Sequence, residues 1–193
     1  MPRPLILAST SPYRRELLSR LGIPFETRSP KVDETEASRE LPMDTALRLA
    51  EDKARAVAQL FPEAVVIGAD QIAEVNGTRL NKPGEHAQAV RQLRQMSGQE
   101  VLFHSALAVL CLATQKSEKD IVPITVHMRT LGDDQIERYL RTEKPYDCAG
   151  SAKVEGLGIT LVRAIDSKDP TALIGLPLIR LSEMLRGFGY ELP

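Results

Sequence analysis

Between Ser9 and Arg15 the chain reads Ser-Thr-Ser-Pro-Tyr-Arg-Arg, so small hydroxyls are followed at once by two guanidinium groups. Hydroxyls and forked arginine donors are the groups that grip phosphate oxygens. The neighbours strengthen that reading. Leu5 to Ala8 forms a short apolar run of the kind that makes a buried strand, and Pro12 suits the first position of a helix capped by Ser11. A strand-to-helix junction offers free backbone N–H groups and the positive end of the helix dipole to an anion. The same residues serve equally well as an ordinary capped helix with surface arginines. The stretch lacks G-x-x-x-x-G-K-[ST] and is not a P-loop.

Asp70 follows the continuous apolar run Ala64 to Ala69, which predicts a central strand buried on both faces and ending at Asp70. A carboxylate at such a strand end is a candidate general base or metal ligand, and equally a turn former before a hairpin. Lys53 falls on a predicted helix and Lys82 just before Pro83; Asp33-Glu34 sits beside Lys31. Taken singly, each reads as solvated surface charge. His86, His104 and His127 are scattered without ligand spacing, and Cys111 and Cys148 are too few for a disulfide framework or a Cys-based zinc site. Gly156-Leu-Gly158 and Gly187-Phe-Gly189 lack the strand–turn–helix setting of a dinucleotide fingerprint.

The elements around these residues follow from periodicity. Leu17, Leu18 and Leu21 continue the first helix until Gly22 and Pro24; Phe25 to Arg28 is extended. Pro42 to Leu60 carries Ala46, Leu47, Ala50, Ala54, Val57 and Ala58 on one broad helical face. Ile72–Val75 and Thr78–Leu80 flank Asn76-Gly77, a hairpin turn. Helices are expected over Glu85–Met96, Asp133–Arg141 and Leu178–Arg186. Strands are expected over Val101–Leu112, Ile121–Met128 and Ile159–Ile165, the first two joined by the polar stretch Ala113–Asp120. Strands alternate with helices but include hairpins, so the sheet must be mixed.

The chain has 193 residues, 42% hydrophobic and 26% charged, enough for one ample core or two lobes sharing one. A formal net charge of −1 supplies no general basic field for a nucleic-acid backbone. No run approaches the roughly 20 apolar residues that would span a membrane, and Pro4–Ala8 is too short for a signal-peptide core. A cytoplasmic protein that binds neither nucleic acid nor membrane is the expectation.

Taken together, several blocks resemble the Maf family of nucleoside triphosphate pyrophosphatases: Leu5 to Leu18, Val32-Asp-Glu-Thr35, Arg48-Leu-Ala with Lys53-Ala54, Gly68-Ala-Asp-Gln71 and Lys82-Pro83. Asp147-Cys-Ala-Gly150, Glu155-Gly156 and Gly175-Leu-Pro-Leu178 complete the series, in the family's order and over nearly the whole chain. The resemblance implies an α/β fold over residues 1–193, a mixed twisted sheet with flanking helices, similar to inosine triphosphatases, in two sub-lobes around a central nucleotide-binding cleft. It implies a homodimer, dependence on Mg²⁺ or Mn²⁺, and hydrolysis of a nucleoside triphosphate to a monophosphate and pyrophosphate. Asp70 matches the catalytic base. Ser9, Arg14, Lys53 and Lys82 match phosphate-binding positions, and Glu34 and Asp70 match the metal ligands.

Three further positions bear on the base. Tyr13, Gln71 and Glu155 fall where the family's specificity residues lie, and the 7-methyl-GTP subgroup has an aromatic residue, a glutamine and a glutamate there. The dTTP/UTP subgroup has an arginine, a threonine and a glutamine. Guanine presents N1–H and a 2-amino group, which a carboxylate can accept side by side, whereas uracil and thymine flank one donor with two acceptors. Methylation at N7 makes the base cationic, which favours an aromatic face and a nearby carboxylate. This chain departs from the subgroup in carrying Tyr13 where tryptophan is usual. The expected function is 7-methyl-GTP pyrophosphatase. A dTTP/UTP or broader modified-nucleotide pyrophosphatase, or a non-hydrolysing nucleotide sensor in cell division, stands as the alternative.

Overall fold

Leu5–Ala8 is buried at every position, as a strand flanked on both faces must be, and Ser11 and Pro12 then start a helix. A computed structural model describes residues 3–35, 37 and 40–193. The chain runs β1 (Leu5–Ala8), α1 (Pro12–Ser19), β2 (Glu26–Arg28), α2 (Pro42–Ala58), β3 (Val65–Val75), β4 (Thr78–Leu80), α3 (His86–Met96) and β5 (Glu100–Cys111). It continues with β6 (Lys116–Met128), α4 (Asp133–Glu143), β7 (Val162–Asp166) and α5 (Leu178–Gly187). Single 3-10 turns cover Ala149–Ser151, Leu157–Leu161 and Ala172–Ile174. The sheet order is β2-β1-β3-β5-β6-β7, with β4 paired to β3. It is mixed: β1 runs parallel to β2 and β3, while β4 on β3 and β7 on β6 are antiparallel. The mixed α/β sheet with flanking helices expected from the sequence is therefore present.

The chain divides into two compact units, Met1–Gln71 with His104–Val122 and Lys168–Pro193, and Ile72–Phe103 with Pro123–Ser167. In the first unit, Leu5 pairs with Val65 and Ala8 with Gly68. Side chains alternate across a strand, so odd-numbered residues of β1 and β3 share one face. Leu5, Leu7, Val65, Ile67 and Ala69 meet Leu17 and Leu18 of α1 and Leu181, Met184 and Leu185 of α5 in a buried core. The even-numbered face carries α2. There Gly68 lets the helix backbone touch the strand: a Cβ at Gly68 would lie 2.1 Å from the Ala50 carbonyl oxygen and 2.7 Å from the Ala54 nitrogen.

In the second unit, Asn76 (φ 49°) and Gly77 (φ 73°) make the tight turn that returns β3 into β4, as Asn-Gly should. Helices α3 and α4 bury Leu93 and Met96, and Ile136, Tyr139 and Leu140, with Arg94 bonded to Asp133 at 2.8 Å.

Three boundaries differ from the sequence expectations. β3 does not end at Asp70 but runs on to Val75, because the hairpin partner β4 supplies backbone hydrogen bonds beyond it. Asp70 is thus a mid-strand residue. Much of the polar stretch Ala113–Asp120 is strand, since β6 begins at Lys116. The segment from Ile159 begins as a 3-10 turn, and β7 starts only at Val162.

Because α2 rests directly on Gly68, Gly68→Ala should drive the helix outward. The expected loss is about 1–3 kcal/mol of unfolding free energy, measured by urea denaturation.

Candidate active site

Lys53 sits on the buried face of α2, one residue before Ala54, and the close approach at Gly68 brings its ammonium to the next even-numbered residue of β3. Its Nζ donates to Asp70 Oδ1 at 2.6 Å and lies 2.7 Å from Glu34 Oε1. The side chains of Lys53 and Asp70 are only 6% and 10% exposed, whereas Glu34 is 62% exposed. An ammonium has three donor directions, and the two carboxylates take two of them. The site therefore holds one buried cation between a buried and a solvated anion.

The first loop leaves β1 at Ser9, one residue beyond the Ala8–Gly68 pair, where the Ser9 N–H turns back to the Leu7 carbonyl at 3.0 Å. Ser9 is buried, and its Oγ accepts the Ser11 N–H at 3.1 Å. Ser11 in turn caps α1 by accepting the Arg14 N–H, as its position before Pro12 predicts. Arg14 turns inward and donates through Nε to the Gly175 carbonyl at 2.9 Å. Burial lowers its pKa, opposed by the attraction of Asp70 and Glu34, and a guanidinium stays charged at any working pH. Tyr13, half-buried, lies in the first turn of the same helix. Of the two arginines, Arg14 joins the charged cluster while Arg15 is exposed and lines an open groove of about 960 Å³ beside Ser9 and Ser11.

Glu34 is held near Lys53 by its own loop. Asp33 Oδ1 accepts both the N–H and the hydroxyl of Thr35, at 2.9 and 2.6 Å. Arg48, one helical turn and a half before Lys53, donates to the Thr35 carbonyl at 3.2 Å and forks onto both oxygens of Glu40 at 2.7 Å. Arg48 thus ties both sides of the loop to α2, although sequence reasoning assigned it no role. The signal was available: a long cation at i−5 from Lys53 beside a cluster of acidic residues.

Gln71 and Asp70 are adjacent, so strand alternation turns them to opposite faces. Gln71 Nε2 donates to the carbonyls of Ala172 and Leu173 at 2.9 and 3.1 Å. Lys82 and Glu155 belong to the second unit, and both are exposed. Lys82 precedes a loop fixed by the Gly84 N–H on the Tyr146 carbonyl at 3.0 Å. Glu155 rides on a tight turn. Glu143 accepts the Leu157 N–H at 2.8 Å and pairs with Lys153 at 3.0 Å, and a Cβ on Gly156 would sit 2.6 Å from the Glu143 carboxylate.

Glu34 and Asp70 converge on one ammonium, so their oxygens are near neighbours and of the hard type that Mg²⁺ or Mn²⁺ prefers. No group of three or more His, Cys, Asp and Glu suited to a metal occurs among the described residues. Two carboxylates nonetheless fit a cation that keeps waters and takes its remaining ligands from substrate phosphates.

Two stability tests follow. Lys53→Met strands the buried Asp70 without its cation and should cost about 3–5 kcal/mol. Adding Asp70→Asn to Lys53→Met should recover part of that loss, as read from a double-mutant cycle in urea. The Glu40 carboxyl is held down from its ordinary value near 4.5 to about 2, chiefly by its hydrogen bond from Arg48. A depressed carboxyl stabilises the fold above its unfolded pKa and loses that contribution as pH falls through about 2. The stability advantage of the unmodified protein over Glu40→Gln should therefore be full above pH 5 and shrink steadily toward pH 2, as followed by acid denaturation.

The profile of the family described as Maf-like protein matches residues 4–188. A protein of Polaromonas sp. named 7-methyl-GTP pyrophosphatase is 58% identical over 98% of this chain and 87% of its own length. Proteins of the same name from Albidiferax ferrireducens and Methylobacillus flagellatus are 56% and 57% identical, over 98% and 97% of this chain and 95% and 98% of theirs. The solved structure of the Staphylococcus aureus Ham1 protein aligns at a TM-score of 0.51 and 14% identity, over 95% of this chain and 98% of that one, a likeness of fold alone. With its profile match and its relatives both spanning nearly all of it, the chain belongs to the Maf family.

Proposed function

We propose that this chain is a nucleoside triphosphate pyrophosphatase that hydrolyses 7-methyl-GTP to 7-methyl-GMP and pyrophosphate. The observation that carries the reading is the buried Lys53 ammonium between Asp70 and Glu34, with Arg14 close by, in a chain whose relatives of 56–58% identity bear that name. A triphosphate carries about four negative charges, each worth roughly 1–4 kcal/mol with a cation at about 4 Å, depending on screening. Arg14 and Lys53 supply such cations from the first unit. The family resemblance assigns Lys82 to the phosphates and Glu155, Gln71 and Tyr13 to the base.

Asp70 performs the proton work. Lys53 holds its Oδ1, which leaves Oδ2 to accept a proton from water as the water oxygen bonds to the α phosphorus. The bond from that phosphorus to the α–β bridging oxygen then breaks, and pyrophosphate departs with the electron pair. Charge on the departing group is offset by the fixed cations rather than by reorganising solvent. Mg²⁺ or Mn²⁺, held by Glu34 and Asp70, supplies further charge neutralisation on the phosphates when bound. The resemblance also carries a homodimer, and a cytoplasmic location suits an enzyme of nucleotide pools. No helix among the described residues is long and apolar enough to cross a membrane.

Pyrophosphate release from a panel of 7-methyl-GTP, GTP, dTTP, UTP and inosine triphosphate, with Mg²⁺ or Mn²⁺, tests the reaction and the base together. The highest kcat/KM is expected on 7-methyl-GTP; a higher value on dTTP or UTP overturns the base assignment, and binding without turnover overturns the reaction. Asp70→Asn should lower kcat at least about a hundredfold while nucleotide binding persists. Full activity in that variant would remove Asp70 from its role.

A further inference from the structure

The segment from Asp169 to Ile179 touches two of the assigned site residues without itself belonging to the assigned set. Its 3-10 turn, Ala172–Ile174, ends at Gly175 with φ 115°, in the region that favours glycine. Arg14 Nε donates to the Gly175 carbonyl, and Gln71 Nε2 donates to those of Ala172 and Leu173. One short turn therefore receives the phosphate-assigned guanidinium and the base-assigned carboxamide on three carbonyls within four residues.

The turn has its own internal brace. Asp169 is 2% exposed. Its Oδ1 accepts the Thr171 N–H at 2.9 Å, and its Oδ2 accepts the Ile179 N–H at 2.7 Å, so the carboxylate staples the entry of the turn to the first turn of α5. The Thr171 hydroxyl accepts the Leu178 N–H at 2.8 Å. Its single proton serves either Asp169 Oδ1 at 2.7 Å or the Leu176 carbonyl at 2.9 Å. Those bonds close the loop across residues 171 to 178 and set where the three carbonyls point.

We propose that Asp169 and Thr171 are positioning residues: they brace the 172–175 turn, which aims Arg14 at phosphate and locks Gln71 so that it meets a base as a hydrogen-bond acceptor only. This rests on the pyrophosphatase reading above. The lock follows from hydrogen-bond chemistry. Two carbonyls can face only the NH₂ end of a carboxamide, so Gln71 is fixed with nitrogen on the turn and oxygen away from it. A free glutamine reads donors and acceptors alike, whereas this one offers only Oε1. An acceptor suits the donor-bearing edge of a guanine-type base and mismatches the two carbonyls of a uracil. The same turn ties that selection to Arg14, because both residues are registered on one stretch of backbone.

The test uses the full chain labelled with ¹⁵N, comparing Thr171→Val, which keeps shape and loses the hydroxyl, with Thr171→Ser, which restores it. In Thr171→Val the Arg14 Nε–H and the Gln71 side-chain amide protons should exchange faster. Its kcat/KM on 7-methyl-GTP should fall about tenfold, because valine removes both the bond that the hydroxyl accepts and the one that it donates, and its preference over UTP should fall with it. Thr171→Ser should return all three toward the unmodified values. A merely structural role would lower the melting temperature and leave proton exchange and base preference as they were. That result, in protein shown to be folded at the assay temperature, overturns the proposal. If Thr171→Val does not fold, Asp169→Asn, which keeps shape and loses one accepted bond, is read in the same way. Absence of turnover in the unmodified protein would sink the parent reading instead, while the exchange rates would still decide the brace.

Discussion

Burying an ammonium beside a carboxylate removes both from water, and the attraction between them repays that cost only when their geometry is fixed. Here it is fixed by backbone, not by the side chains themselves. Gly68 lets α2 lie against β3 so closely that no Cβ fits between them. Lys53 on the helix and Asp70 on the strand then meet at 2.6 Å with little freedom to separate. Glu34 joins from a loop that Arg48 ties to the same helix. The charged centre thus depends on one helix–strand contact, and the sequence run Gly68-Ala-Asp70 contains both the contact and the carboxylate that it serves.

The alternation of β3 divides the chemistry. Asp70 turns to the α2 face, where it meets a cation; Gln71 turns to the opposite face, where it meets the carbonyls of the 172–175 turn. The roles proposed for these two neighbours, proton transfer and base reading, are compatible because a strand sends consecutive side chains in opposite directions. The extension of β3 past Asp70 matters for this. A strand that broke at Asp70 would release the pleat and leave the orientation of Gln71 unspecified.

Much of this was legible beforehand, for identifiable reasons. Apolar periodicity placed α1, α2 and α5 to within a few residues, and Asn76-Gly77 announced its hairpin. Ser11 before Pro12 marked a cap that is present. Legibility failed where local sequence does not carry the cause. β3 passes through Asp70 because β4 pairs with it, a long-range supply of hydrogen bonds that an apolar run cannot display. Lys53 and Glu34 read singly as surface charges, and only the resemblance marked them out, since burial of a lysine depends on what a helix packs against. Lys82 and Glu155 remain assignments from that resemblance. Asp169 and Thr171 escaped notice altogether, because their partners are backbone atoms further along the chain and no residue type signals such a brace.

The first loop shows why arginine, and not lysine, stands at position 14. Its Nε is committed to the Gly175 carbonyl, and its Nη atoms donate to no described residue. A guanidinium can be anchored through one edge while presenting the other, because its donors are distributed over a rigid plane. A lysine carries its three donors on a single nitrogen, so it has no second edge set apart from the one that anchors it. Lys53 illustrates that limit from the other side: its one nitrogen is already engaged by Asp70 and Glu34, and it acts on the carboxylates that it holds. The two cations are therefore unlike in kind. Arg14 is hydrogen-bonded to a neutral carbonyl and feels Asp70 and Glu34 only through space, whereas Lys53 is in direct contact with both carboxylates.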